Sequence, residues 1–121
     1  MSNRATILYI DDEPDNLMAF KVIFRRQYRV FVAESAAAAL QIIGQEKIDL
    51  VLSDYKMPKT TGVELLQIVQ KNHPDVARLI VTGFGDIDII RSAMKKGIVE
   101  QMINKPWDVE ELKEIFSTTL Q

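Results

Sequence analysis

The sequence contains no cysteine and a single histidine, His73. Without thiols there are no disulfides, no thiolate metal sites and no cysteine nucleophile, and one histidine leaves little scope for imidazole-based metal binding or acid–base catalysis. Chemistry in this chain must run on carboxylates, hydroxyls and lysines. An excess of one charge sign is also missing: 17 Asp and Glu against 15 Lys and Arg give a formal charge of −2, with neither sign gathered into a long block. Direct nucleic-acid binding is not expected of such a surface. No apolar run approaches the ~20 residues needed to cross a bilayer, and Met1-Ser2-Asn3-Arg4 is not followed by the apolar core of a signal peptide. No membrane association is expected, and the expected compartment is the cytoplasm. At 121 residues, 47% hydrophobic and 26% charged, the chain fits one globular domain and excludes two.

What is present is an alternation of strand-length apolar runs with segments of helical period, the pattern of a parallel sheet covered by helices. Thr6-Ile7-Leu8-Tyr9-Ile10 reads as a strand buried on both faces and stops at Asp11-Asp12-Glu13. Pro14 suits a helix N-terminus, and Leu17, Phe20 and Phe24 form an inward stripe in a helix running to about Arg26. Arg29 to Ala33 is a second strand. Ser35 then caps an alanine-rich helix that buries Ala36, Leu40 and Ile43 before Gly44 weakens it. Ile48 to Asp54 is a third strand, followed by a loop with Met57-Pro58, Thr60-Thr61 and Gly62. Val63, Leu66 and Val69 mark a helix that stops near Asn72-His73-Pro74. Arg78 to Thr82 is a fourth strand; Asp86 is placed to cap a helix with Ile90, Ala93 and Met94 inward, ending at Lys95-Lys96-Gly97. Glu100 to Asn104 is a short fifth strand, and Asp108 opens a last helix with the stripe Val109, Leu112, Phe116 and Leu120.

Ligands of open parallel sheets sit beyond the carboxyl ends of the strands. Four of the five strands end there in a polar or charged residue: Asp11 and Asp12, Asp54, Thr82 and Lys105. Taken singly, each is an ordinary loop, turn or cap signal. Brought together, three carboxylates repel and call for a cation; hard oxygen donors suit Mg²⁺, which leaves room for phosphate oxygens. A lysine and a threonine hydroxyl beside it suit phosphoryl transfer, with an aspartate as nucleophile.

Ile10-Asp11-Asp12-Glu13, Ser53-Asp54-Tyr55-Lys56-Met57-Pro58, Thr82-Gly83 and Asn104-Lys105-Pro106-Trp107, in that order and spacing, resemble the receiver domain of two-component response regulators, chemotaxis-type regulators among them. The resemblance covers essentially the whole chain. It implies a flavodoxin-like α/β fold: a doubly wound, five-stranded parallel sheet of order 2-1-3-4-5 with five helices. It also implies phosphorylation of Asp54 by a histidine kinase or a phosphotransfer protein. Mg²⁺, or Mn²⁺ in its place, would be held by Asp12 directly, Asp11 through water, Asp54 and the backbone carbonyl of Lys56. Thr82 would hydrogen-bond the phosphoryl group, and Lys105, preceding a cis Pro106, would pair with its charge. Lys56 and Phe84 fall at positions that influence dephosphorylation.

One residue departs from the family pattern: Met102 stands where a movable aromatic usually lies, three residues before the lysine. Methionine repacks readily but carries no phenolic hydroxyl. Switching on the face of the fourth helix, fifth strand and fifth helix is then expected to use backbone shifts and exposed apolar groups. Ile87 and Ile89 exceed the inward stripe of their helix, and face either outward, towards a partner or a second copy, or partly into the core. His73 reads as an exposed helix end and Trp107 as partly buried packing. The expected organisation is one receiver unit over residues 1–121, standing alone or as the N-terminal part of a longer regulator, acting on an effector domain or downstream protein and not as a metabolic enzyme. Two other classes are weighed. An aspartate-nucleophile phosphohydrolase would carry its nucleophile on the first strand and an acidic pair later, the reverse of the order here. A small flavin-binding module would need a hydroxyl- and glycine-rich phosphate loop where Asp11-Asp12-Glu13 stands.

Overall fold

Strands and helices alternate through residues 4–83 and 85–121, the residues that the structure, a computed structural model, describes. The elements are β1 (Thr6–Ile10), α1 (Pro14–Phe24), β2 (Arg29–Ala33), α2 (Ala36–Gln45), β3 (Leu50–Asp54), α3 (Gly62–Asn72), β4 (Ala77–Thr82), α4 (Ile87–Lys95), β5 (Gln101–Asn104) and α5 (Val109–Thr119). All strand pairs are parallel and the order is β2-β1-β3-β4-β5, the doubly wound flavodoxin-like arrangement expected. Residues of β1 and β3 are buried without exception, as befits strands covered on both faces, whereas the edge strands β2 and β5 carry exposed positions.

Alternate residues of each strand point to opposite faces, which divides the core in two. Leu8, Ile10, Val51 and Ile80 pack with Ala39 and Ile43 of α2, Leu65, Leu66 and Val69 of α3, and Ile90 and Ala93 of α4. Ile7, Tyr9, Leu52 and Val81 pack on the other face with Leu17, Phe20 and Phe24 of α1 and Leu112 and Phe116 of α5. Met102 is half-buried on the first of these faces, beside Ile80. Ile87 and Ile89 do face outward, 38% and 53% exposed.

Helix ends follow the capping residues. Ser35 accepts from the Ala38 amide, Asp108 accepts from the Glu111 amide, and Thr61 with Glu64 forms a reciprocal capping box that opens α3. Asp86 is a correction: it holds the N-cap position of α4, but its side chain makes no capping bond. Helix α2 runs through Gly44 to Gln45, and its buried line runs through Ala39 and Ile43, with Ala36 and Leu40 only partly covered. Helix α1 ends at Phe24, two residues early, and β3 begins at Leu50 although Ile48 is buried. Just before β3 the Asp49 amide donates to the Thr6 carbonyl at 2.9 Å while the Asp49 carboxylate accepts the Thr6 amide at 2.8 Å, so backbone and side chain together make the first link between the two strands.

Arg78 on β4 is buried, yet its guanidinium donates to the carbonyls of Pro74, Val76, Gly97 and Ile98 at 2.7–3.2 Å. It thereby ties the segment entering β4 to the turn that follows α4.

Candidate functional site

Strand register explains why the polar strand ends meet. Ile10 of β1 lies beside Ser53 of β3, so the next residues, Asp11 and Asp54, are neighbours; Thr82 lies beside Asn104, so Lys105 begins one step beyond. Asp11, Asp54 and Thr82 are buried, at 0%, 5% and 3% exposure, while Asp12 is exposed. A cleft of about 660 Å³ opens above them, lined by Asp12, Asp54, Lys56, Thr82 and Lys105. Glu13 and Asp86 line it as well. Every residue expected at the site that the structure describes therefore lies in or beside this cleft except Met102 and Pro106. Lys105-Pro106 is the cis peptide bond expected. Phe84 lies outside the described residues.

One carboxylate oxygen from each of Asp11, Asp12 and Asp54 falls within 4.8 Å of the other two. Lys105 Nζ donates to Asp54 Oδ2 at 2.8 Å and stands 3.6 Å from Asp11 Oδ2. Burial raises the Asp54 carboxyl above the usual carboxylate range; Lys105 opposes this, and the charges of Asp11 and Asp12 add to it. Lys105 is itself raised: burial pulls it down, but the hydrogen bond to Asp54 and the charges of Asp54, Asp11 and Glu13 prevail. Burial is the main cause of the Asp54 shift, and the hydrogen bond and charge of Lys105 offset it only in part. Three carboxylates against one lysine leave two negative charges, and the donors are all hard oxygens, a set that fits Mg²⁺.

Behind the cleft lies a layer of donors that strand-end logic does not reveal. Asp11 Oδ2 accepts from the Tyr9 hydroxyl at 2.8 Å and from Asn16 Nδ2 at 3.1 Å, and Oδ1 accepts from the Glu13 amide at 2.9 Å. Tyr9 accepts in turn from Trp107 Nε1 at 3.2 Å. Burial, then the hydrogen bond to Asp11, drives the Tyr9 hydroxyl far above the ordinary tyrosine range, so it remains a donor. Tyr9 is also a core ring, stacked on Phe20 at 4.4 Å, and Trp107 meets both rings edge-on. Gly62 is a second hidden requirement. Its amide donates to Tyr55 O at 2.7 Å, and a Cβ there would collide with the Asp54 carbonyl oxygen. The loop beyond β3 folds back tightly enough that only glycine fits.

Comparison with known proteins gives a consistent picture. The model of the response regulator receiver domain matches residues 7–117. The hydrogenase transcriptional regulatory protein HoxA of Bradyrhizobium diazoefficiens is 30% identical over 121 residues, covering 100% of this chain and 25% of that protein. Sporulation initiation phosphotransferase F of Bacillus subtilis is 29% identical over 109 residues, covering 89% of this chain and 87% of its own length. A crystal structure of a CheY-like receiver domain protein from Methanospirillum hungatei superposes with a TM-score of 0.90 at 28% identity, over 98% of this chain and 94% of that one. The chain thus spans about a quarter of the length of HoxA, and nearly all of the smaller relative.

Proposed function

The chain belongs to the response regulator receiver domain family, and from that membership we propose that it is a phosphorylation-driven switch with Asp54 as acceptor. Receiver domains are signalling switches that work with histidine kinases and effector domains. The observation that carries the assignment of Asp54 is its contact with Lys105 at 2.8 Å inside a three-carboxylate cluster at the strand ends.

Asp54 Oδ attacks the phosphorus of a phosphohistidine; the new P–O bond forms as the P–N bond breaks, and the electron pair returns to the imidazole of the donor. Asp11, Asp12, Asp54 and the Lys56 carbonyl would hold Mg²⁺, or Mn²⁺ in its place. Bound there, the ion offsets charge on the phosphoryl oxygens and orients the group for in-line transfer. Lys105 needs little movement to pair with the new phosphoryl group, and Thr82 lines the same cleft as its hydroxyl donor. Hydrolysis of the acyl phosphate resets the switch, and Lys56 and Phe84 fall at the family positions that influence it; no other turnover is assigned.

Drawing Thr82 and Lys105 towards the phosphoryl group moves the segments that lead into α4 and α5. Met102 on β5 accommodates this by repacking and not by swinging an aromatic ring. Output is assigned to the α4/β5/α5 face, for an effector domain, a downstream protein or a second copy; of the exposed isoleucines of α4, Ile89 lies instead in the groove towards α3, beside Val63 and Gln67. Input falls on another face: Met18 and Val22 of α1, 70% and 55% exposed, suit docking of a histidine kinase or phosphotransfer protein. The receiver unit occupies residues 1–121 and works in the cytoplasm; no described helix is long and apolar enough to cross a membrane.

The test is incubation with acetyl phosphate and Mg²⁺, read by intact mass and by lability of the adduct to hydroxylamine. Wild type should gain one phosphoryl group and Asp54→Asn none. Equal uptake by the two, or none by either, would remove the assignment.

A further inference from the structure

We propose that Tyr9 and Trp107 are positioning residues for Asp11, and that occupancy of the acidic cleft is registered through them at the root of α5. The inference rests on the receiver reading above. An indole N–H can only donate, so the 3.2 Å contact with Trp107 Nε1 makes the Tyr9 oxygen the acceptor. The single hydroxyl proton of Tyr9 is then committed to Asp11 Oδ2, at 2.8 Å. With Asn16 Nδ2 and the Glu13 amide, three donors fill three of the roughly four lone-pair directions of the Asp11 carboxylate. Asp11 is held in one orientation with little acceptor capacity to spare.

The relay joins β1 to the loop between β5 and α5. Trp107 sits one residue before Asp108, whose carboxylate caps α5 through the Glu111 amide at 2.9 Å. A cation that draws on the Asp11 carboxylate changes the acceptor seen by Tyr9, and Tyr9 is the partner of the indole. This path to α5 bypasses β5, where Met102 offers no hydroxyl.

The experiment is a Mg²⁺ titration of the intact chain, followed by calorimetry and by the emission of Trp107, the single tryptophan in the sequence. Wild type should show an emission change that saturates with metal uptake. Tyr9→Phe keeps the ring in its aromatic cluster and removes only the hydroxyl. It should bind Mg²⁺ about tenfold more weakly and lose the emission change even at saturation. Unaltered affinity, or an undiminished emission change at saturation, overturns the relay and leaves the receiver assignment standing. Failure of wild type to take up Mg²⁺ overturns metal binding at the cleft, and the relay with it. Should Tyr9→Phe not fold, Trp107→Phe decides by calorimetry: weaker Mg²⁺ binding supports the relay, and wild-type affinity ends it.

Discussion

Lys105 reaches two carboxylates at once, lying 2.8 Å from Asp54 and 3.6 Å from Asp11. Its ammonium stands where a divalent ion would seek charge, while also being the donor nearest to the place where a phosphoryl group would form. Removing it should move two readouts in opposite directions. Lys105→Met is expected to bind Mg²⁺ more tightly, because a competing cation is gone, and to accept phosphoryl groups from acetyl phosphate roughly 10²-fold more slowly. Calorimetry and initial rates measure the pair; a parallel loss of both would contradict this geometry.

Asp54 costs the metal-free fold stability. Burial raises its pKa above that of the unfolded chain, so the folded state prefers the protonated form. That preference stabilises the fold below the unfolded value of 3.8 and is lost as pH rises through the higher folded value. At neutral pH with chelator present, Asp54→Asn should therefore melt several degrees above wild type. The gap should close on acidification and narrow on adding Mg²⁺, which stabilises wild type selectively. Thermal melts across pH, with and without the metal, test each part.

Two helical glycines should respond oppositely to alanine. Gly44 in α2 has no atom within 4 Å of a built Cβ, so Gly44→Ala should stabilise the protein by roughly 0.5–1 kcal/mol through helix propensity. Gly62 at the start of α3 faces the Asp54 carbonyl and Ile80 Cδ1, the latter at 3.1 Å. Gly62→Ala should cost about 1–3 kcal/mol and impair phosphorylation, because the backbone of Asp54 must yield. Denaturant titration of both variants is sufficient.

Arg78 should not tolerate conservative exchange. Its guanidinium serves four carbonyls in fixed directions, and a lysine ammonium cannot reproduce that fork. Both Arg78→Lys and Arg78→Met should lose about 2–4 kcal/mol in urea unfolding, chiefly from the buried Val76 and Ile98 carbonyls left without donors. Amide exchange should localise the loosening to the loop before β4 and the turn around Gly97.

Much of this organisation is legible in the residues alone, for definite reasons. Apolar runs such as Thr6 to Ile10 identify doubly covered strands, and a polar or charged residue that ends such a run falls at the carboxyl rim of the sheet. Asp11, Asp54, Thr82 and Lys105 are visible on those grounds. The start of β3 is placed two residues early because Ile48 is as apolar as a strand residue, while regular pairing with β1 and β4 begins at Leu50. Tyr9 is hidden because its ring belongs to the core and only its hydroxyl belongs to the site. Asn16, one turn into α1, and Trp107, read as packing, reach Asp11 directly or through Tyr9 by tertiary proximity that no local pattern encodes. Gly62 reads as a turn residue, since the carbonyl it must clear is contributed by the strand behind it.

The cleft is also assembled from remote parts of the chain: Asp54 and Lys105 are separated by 51 positions. Their meeting requires β3, β4 and β5 to be paired in register. Competence to receive a phosphoryl group is therefore a property of the finished fold, and a chain still emerging from synthesis, or one partly opened, is silent. Ligation at the cleft feeds back on the folding equilibrium by mass action, adding RT ln(1 + [L]/Kd) to stability. Signal fidelity and conformational quality control are thus enforced by the same set of strand pairings.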